Sequence, residues 1–160
     1  MIEGPIHVLT VAAAVGSGVV AGVFFAFSTF VMRGLGRLPA PQGIAAMQGI
    51  NAAAPTPLFM LALFGTVPVC VALIVWAVIS FDEPGAAHLL VAGGLYLVAP
   101  LLTIGYHVPR NNALAALDPR SGDAARFWAR YLRNWTAWNH ARTLGPLAAA
   151  AVFVLATRAR

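Results

Sequence analysis

Three long apolar runs alternate with short polar connections along the chain. They cover residues 6–32, 58–81 and 87–107. Each is long enough to cross about 30 Å of hydrocarbon as an α-helix that rises 1.5 Å per residue. A fourth apolar run, 144–156, is shorter than the roughly 20 residues that a crossing needs. The polar residues before it must therefore enter the membrane too, which predicts a fourth span over 136–157.

Two further helices are predicted between the runs. Residues 42–54 are bracketed by prolines and predict a short re-entrant or interfacial helix after the first span. Ser121 or Asp123 can cap a helix that begins near Ala124, whose aromatic and arginine residues follow the pattern of an amphipathic helix at a membrane surface. The predicted fold class is an all-α membrane protein, a four-transmembrane-helix bundle that forms a single domain over residues 1–160.

Composition supports a membrane protein. Of the 160 residues, 60% are hydrophobic and only 9% are charged, against roughly 25% charged in a soluble domain. The net charge of +5 comes from arginines, and these lie mainly in the connections, where membrane proteins carry their topology signal. We therefore expect the lipid bilayer, and no nucleic acid, as a partner. The single cysteine excludes a disulfide framework within the chain.

The distribution of charge predicts an orientation. Arginines follow the first and third spans, whereas the acidic residues Asp82 and Glu83 follow the second. We expect the protein to span the cell (inner) membrane several times, and the positive-inside rule places both of its termini on the outer side. The end of span three, the start of span four and residues 42–54 consequently lie at the same, cytoplasmic face.

One face of the first span carries almost no side chains. Its members recur every four residues: Thr10, Ala14, Gly18, Gly22 and Ala26. Such a face lets a neighbouring backbone approach closely. It predicts a helix–helix contact, and it leaves open a homo-oligomer or a structural subunit of a larger membrane complex.

Two dense polar patches, 106–112 and 135–143, lie at matching depth. Helical phase places Tyr96, Thr103 and His107 on one face of span three, and it gathers the polar residues of span four within about half a turn. Because such stripes turn inward in a bundle, they predict an inner-leaflet pocket. Its predicted lining is His107, Asn111, Asn139, His140 and Arg142, with Tyr96 deeper and Gln48 or Asn51 as a lid. The alternative is a structural plug in which these groups only satisfy one another.

The residue types favour general-base chemistry. A histidine, His107 or His140, can take a weakly acidic C–H proton, and Arg142 with the asparagine amides can stabilise the resulting oxyanion. No carboxylate lies at this depth, so an iron site of two histidines and one carboxylate cannot form. No cofactor is predicted; haem or copper held by His107 and His140 is the alternative. Ser28 lies beyond the predicted polar layer. The expected partners are a lipophilic aromatic molecule and dioxygen.

Four motifs together resemble the anthrone oxygenase-like family of small four-span membrane proteins. They are Gly22-Val23-Phe24-Phe25-Ala26-Phe27-Ser28, Met47-Gln48-Gly49-Ile50-Asn51, His107-Val108-Pro109-Arg110-Asn111-Asn112 and Trp135-Thr136-Ala137-Trp138-Asn139-His140-Ala141-Arg142-Thr143. The resemblance implies cofactor-independent oxygenation of anthrones to anthraquinones. Its polar motif positions correspond to Asn51, His107, Asn111, Asn112, Trp135, Asn139, His140 and Arg142.

Roles can be assigned on this basis. We predict that His107, His140 and Arg142 are catalytic. The predicted substrate-binding residues are Asn51, Tyr96, Asn111, Asn112, Trp135 and Asn139. The alternative function is a non-catalytic membrane protein that binds a ligand, haem or a metal.

Overall fold

The computed structural model describes residues 4–159, and this part of the chain is helical without any strand. The α-helices are α1 (Gly4–Ala26), α2 (Met32–Gly36), α3 (Ala40–Ala53), α4 (Pro57–Met60), α5 (Thr66–Ile79), α6 (Ala86–Leu102), α7 (Val108–Ala115) and α8 (Gly122–Ala156). Three π-helical turns connect them: π1 (Phe27–Val31), π2 (Leu61–Gly65) and π3 (Thr103–His107).

Each π-helical turn joins two α-helices without a break. Three long continuous helices result. Each contains a stretch that is long and apolar enough to cross a membrane: Gly4–Leu35, Pro57–Ile79 and Ala86–Ala115. The all-α class and the membrane character are thereby confirmed. The four-span topology, the single domain over 1–160, the choice of membrane and its orientation stay predictions.

The last helix merges two predicted elements. Ser121 caps α8 by accepting a hydrogen bond from the Ala124 amide at 3.1 Å, as its position before the amphipathic stretch predicted. The helix then continues for 35 residues, about 52 Å at 1.5 Å per residue. This length exceeds the roughly 30 Å of hydrocarbon, so one helix can supply both the interfacial segment and the predicted fourth span.

The four long helices pack around an apolar core. Helix α8 lies along α1 and α6, while α5 packs against α6 and α1. Close contact depends on small residues: a Cβ at Gly145 would lie 2.8 Å from the Leu95 carbonyl oxygen, and one at Gly93 would lie 2.6 Å from Ile74. These glycines let α8 and α5 approach the backbone of α6.

A second apolar cluster holds α3 against the ends of the long helices. Ile44 and Met47 of α3 pack in a cluster with Leu114 and Trp128. Gln48 fixes the same helix by donating its amide hydrogens to the Leu114 and Leu117 carbonyl oxygens, at 2.9 and 3.0 Å. Helix α3 is thus attached to the bundle. Its re-entrant or interfacial placement stays a prediction.

The small-residue face of α1 is only partly packed. Gly18 and Gly22 are exposed, and no atom lies within 4 Å of the position that a Cβ would take at either. Thr10 of the same face is buried, and Ala14 packs against the apolar core. The predicted helix–helix contact is therefore absent at the two glycines within the described part of the chain.

Candidate functional site

Two of the three π-helical turns coincide with prolines. A proline ring clashes with the carbonyl group four residues earlier and cannot donate a hydrogen bond to it. For Pro68 that carbonyl belongs to Phe64 of π2, and for Pro109 it belongs to Gly105 of π3. We attribute the wider turns at these places to the prolines. Turns of this kind leave carbonyl oxygens without a regular helical partner and are frequent at functional sites.

Three of the predicted site residues contact carbonyl oxygens in or close to these turns. Tyr96 donates its hydroxyl hydrogen to the carbonyls of Leu63 (2.7 Å) and Ala62 (3.1 Å) in π2. His107 has its Nδ1 3.0 Å from the Leu102 carbonyl oxygen, just before π3. Asn139 donates from Nδ2 to the carbonyl of Phe24 at 2.8 Å. All three side chains are fully buried, and each of them stabilises the backbone at its contact.

A cavity of about 580 Å³ lies where the π-helical turns meet α3, α7 and α8. Its walls are mostly apolar and aromatic. They include Val23, Phe24, Phe27, Ile50, Phe59, Met60, Leu63, Phe64 and Val108. The polar residues at the cavity are Asn51, Thr56, Thr103, Asn111, Trp135 and Arg142. The volume falls within the roughly 300–1,000 Å³ of small-molecule sites, and the mixture of apolar wall and a few polar groups is typical of them.

Among the described residues, Arg142 is the one cation that lines this cavity, and it is only 5% exposed. It donates from Nε (3.1 Å) and Nη2 (2.7 Å) to Oδ1 of Asn139, and from Nη1 to the Thr103 hydroxyl at 3.3 Å. All of these acceptors are neutral, and none of the described residues that line the cavity is a carboxylate. A buried charge without a counterion is costly. The guanidinium group is thus prepared for an anion from outside the chain.

Aromatic rings flank the guanidinium group. Its central carbon lies 3.9 Å from the centroid of Phe24 and 5.1 Å from that of Trp135. Ring faces attract cations and replace part of the lost hydration. The two rings also present flat surfaces beside the charge, which suits a planar aromatic ligand.

Asn139 is held in place by a closed ring of hydrogen bonds. Its Nδ2 donates to Ser28 Oγ at 2.8 Å, the Ser28 and Thr143 hydroxyls lie 2.9 Å apart, and Thr143 donates back to the Asn139 carbonyl at 2.8 Å. Ser28 therefore belongs to the polar layer, contrary to the sequence-based expectation. Ser28 lies four residues after Phe24, so both residues face α8, where Asn139 contacts each of them. Through this ring, Asn139 fixes the orientation of Arg142.

A second polar group lies at the cavity wall formed by α7 and α3. Oδ1 of Asn111 accepts hydrogen bonds from the Tyr131 hydroxyl at 2.7 Å and from Nε1 of Trp135 at 3.0 Å. Burial raises the pKa of Tyr131, so its hydroxyl stays protonated and remains a donor. Nδ2 of Asn51 is buried and has no hydrogen-bond partner within the described residues. Asn51 is also part of the cavity lining.

The two histidines lie in different places. His107 sits behind the cavity wall, where its ring meets Trp135 edge-on with centroids 4.9 Å apart. His140 is exposed and lines a separate groove between π1, α2 and α8. They share no cavity, which gives no support to haem or copper held between them. Among the described residues, no three His, Cys, Asp or Glu side chains form a group that could hold a metal ion; the absence of a cofactor stays a prediction.

The structure thus brings together part of the predicted site. Asn51, Asn111, Trp135 and Arg142 line one cavity, with Asn139 and His107 directly behind it. Tyr96 lies in the core, and Asn112 and His140 are exposed elsewhere. The roles assigned to all of these residues stay predictions.

Sequence reasoning missed three residues of the site. Phe24 lies under the guanidinium group, Thr103 accepts a hydrogen bond from it, and Tyr131 anchors Asn111. Thr103 could have been found, since it shares a helical face with His107. Phe24 and Tyr131 carried no such signal, because their aromatic stripes are equally typical of packing.

Fold and site together define a helical protein of membrane character with a largely apolar cavity that Arg142 lines as a buried cation. The family model described as Anthrone oxygenase matches residues 58–152, more than half of the chain. The chain belongs to this family, which confirms the resemblance seen in its motifs. The match runs from α4 through most of α8, whereas α1 and α3 complete the cavity from outside the matched residues. No curated protein and no solved structure matches the chain.

Proposed function

We propose that this protein is a membrane oxygenase that binds the deprotonated form of an anthrone-like aromatic compound in the cavity at Arg142. The observation that carries this proposal is the buried guanidinium group, which faces an aromatic cavity and has only neutral acceptors. Membership of the anthrone oxygenase family supports the substrate class. The substrate and dioxygen are the proposed partners, and the bilayer is the proposed source of the lipophilic substrate.

The proposed binding mode follows from the cavity's two kinds of surface. The fused rings of an anthrone lie against Phe24, Phe27 and Trp135, where they bury apolar area. The oxygen atom lies beside Arg142, with Asn51 as a further donor. Since charge on that oxygen grows when the ring system loses a proton, the guanidinium group stabilises the anion more than the neutral compound, as catalysis requires.

The proposed chemistry consumes one dioxygen per substrate. A base removes a proton from the methylene carbon of the central ring, and the electron pair spreads onto the carbonyl oxygen. The carbanion gives one electron to dioxygen, and the resulting radical and superoxide combine into a C–O bond. Protonation of this peroxide gives a hydroperoxide. Removal of the second C–H proton then forms the carbonyl group as the O–O bond breaks, and the departing hydroxide takes up a proton and leaves as water. Anthrone and O₂ thus yield anthraquinone and H₂O.

His107 is the histidine that we propose as the base. Its Nε2 lies 3.4 Å from the Trp135 carbonyl oxygen, a long contact, while Nδ1 lies 3.0 Å from that of Leu102. A neutral imidazole carries one N–H and can satisfy only one of these acceptors. The imidazolium formed by taking a proton satisfies both. Access to the substrate requires the His107 ring to move past Trp135, a motion that the weak 3.4 Å contact permits.

The test uses emodin anthrone and oxygen with purified protein in detergent. Quinone absorbance and oxygen uptake are followed together, and autoxidation in buffer is subtracted. We expect Arg142→Gln to lower kcat about 100-fold or more, the usual effect of removing an oxyanion donor. Arg142→Lys, which keeps the charge, should retain part of the rate. Arg130→Gln, an exposed arginine of the same helix, should behave as wild type.

A matched pair of histidine variants separates the two imidazoles. His107→Gln should lower the rate and His140→Gln should not, because only His107 adjoins the cavity. Melting temperatures of all variants show whether each is folded. Wild-type turnover no faster than that of folded Arg142→Gln would refute the proposed role of the guanidinium group. A fast His107→Gln together with a slow His140→Gln would reverse the assignment of the base.

A further inference from the structure

A groove of about 600 Å³ lies on the opposite side of α8 from the cavity. It runs between this helix and the segment of π1 and α2. Its floor is apolar, with Met32 and Leu132, and the charged residues Arg33 and Arg133 stand with His140 and Thr29 along it. The proposed oxygenation does not use this groove.

The side chains that line the groove carry positive charge and, among the described residues, no negative charge. Arg33, Arg133 and His140 are all exposed, and no described residue that lines the groove is acidic. Asp123, an acidic residue of the same helix, is outside the lining and is bonded to Arg126. The two arginines are therefore free to bind an anion, and Arg binds phosphate oxygens through a planar fork of N–H groups.

Its position matches the boundary between hydrocarbon and lipid headgroups. Arg33 lies within three residues of the end of the membrane-crossing stretch Gly4–Leu35. Arginines at helix ends extend toward the interface while their stems lie on apolar surface. Below the charges, Met32 and Leu132 continue the groove as apolar surface, where an acyl chain can lie.

We propose that this groove is a binding site for the headgroup of an anionic phospholipid. Its phosphate lies between Arg33 and Arg133, with the Thr29 and Thr136 hydroxyls and His140 as further polar groups and the acyl chains on the apolar floor. A zwitterionic lipid offers the same phosphate with an added ammonium group, which the two guanidinium groups repel. The site therefore selects net negative lipids.

Native mass spectrometry of the purified full chain tests the proposal. The protein in detergent is titrated with dioleoyl phosphatidylglycerol or dioleoyl phosphatidylcholine, and the bound lipids are counted. Each arginine near an anionic lipid strengthens binding about fivefold. Wild type should thus prefer phosphatidylglycerol about tenfold or more, and Arg33→Gln/Arg133→Gln should reduce this preference to about twofold or less.

Matched variants control for charge and folding. Arg120→Gln/Arg130→Gln removes the same charge from exposed positions outside the groove and should keep the preference. Arg33→Lys/Arg133→Lys should keep most of it. Equal binding of the two lipids by wild type would overturn the proposal, as would an unchanged preference in the folded Arg33→Gln/Arg133→Gln variant. A change in oligomeric mass without any change in lipid count would overturn it too, since the groove would then join two copies of the chain.

Discussion

Removal of the Tyr96 hydroxyl tests whether this residue has a structural role or a substrate-binding role. Tyr96→Phe removes this one group and leaves the volume of the core nearly unchanged. Two carbonyls of π2 lose a donor: that of Ala62, which still accepts from the Thr66 hydroxyl at 2.8 Å, and that of Leu63. The Leu63 carbonyl therefore loses its side-chain donor, whereas the Ala62 carbonyl keeps one.

The magnitude follows from that count. Leaving one buried polar group unpaired costs about 1–3 kcal/mol of the free energy of unfolding. For a chain of this size each kcal/mol lowers the melting temperature by about 2–4 °C. We therefore expect Tyr96→Phe to melt about 2–10 °C below wild type, while its oxygenation rate at a temperature where both are folded stays unchanged.

The assay is tryptophan fluorescence during heating in detergent, at one fixed scan rate because membrane proteins can unfold irreversibly. Tyr106→Phe is the matched control. The contribution of Tyr106 lies in its ring, whose centroid is 3.4 Å from the Arg110 guanidinium carbon, so its melting temperature should equal that of wild type. Thr66→Val combined with Tyr96→Phe should cost more than the sum of the two changes, since the Ala62 carbonyl then loses both donors.

The opposite pattern would refute this reasoning. Unchanged melting of Tyr96→Phe together with loss of activity would show that the hydroxyl acts on the substrate, as its sequence position suggested, and that π2 tolerates a free carbonyl.

Two further changes test the packing around the cavity. Gly43→Ala should destabilise the protein by about 1–3 kcal/mol, because the new Cβ would lie 2.8 Å from the Leu35 carbonyl oxygen. Gly49→Ala on the same helix is the control: its Cβ meets nothing within 4 Å, so this change should be neutral or stabilising. Thermal melting of the two variants measures the difference. Asn111→Leu should lower both the stability of the protein and its affinity for an anthraquinone product, because the donors of Tyr131 and Trp135 lose their shared acceptor. Asn112→Leu, at an exposed neighbouring position, should change neither quantity. Thermal melting measures the stability, and quenching of tryptophan fluorescence measures the affinity.

Much of the fold was predictable because apolar length and caps are local properties. The runs at 58–81 and 87–107 reappear as the second and third long helices, and Ser121 caps α8 as expected. The continuity of α8 was not predictable. Its polar half and its apolar half are different in composition, and only the structure shows that one helix runs unbroken from Gly122 to Ala156.

The site was predictable to a lesser extent. Asn111, Trp135 and Arg142, which helical phase predicted to lie on inward faces, line one cavity, and their roles stay predictions. His140 is different. Helical phase groups it with Asn139 and Arg142 within half a turn of α8, but in the structure it does not line the cavity. A bundle buries a narrower arc than that, and the opposite arc faces a separate groove.

The lengths of the apolar runs and the four motifs predict an all-α membrane protein of the anthrone oxygenase family, because both are local properties of the chain. Which polar groups line a cavity depends instead on how the helices pack. Tyr96, His107 and Asn139 contact backbone carbonyl oxygens, whereas Arg142 lines the cavity as a buried cation. Helical periodicity does not separate these two outcomes, since the carbonyl partners of Tyr96 and Asn139 come from segments distant in sequence.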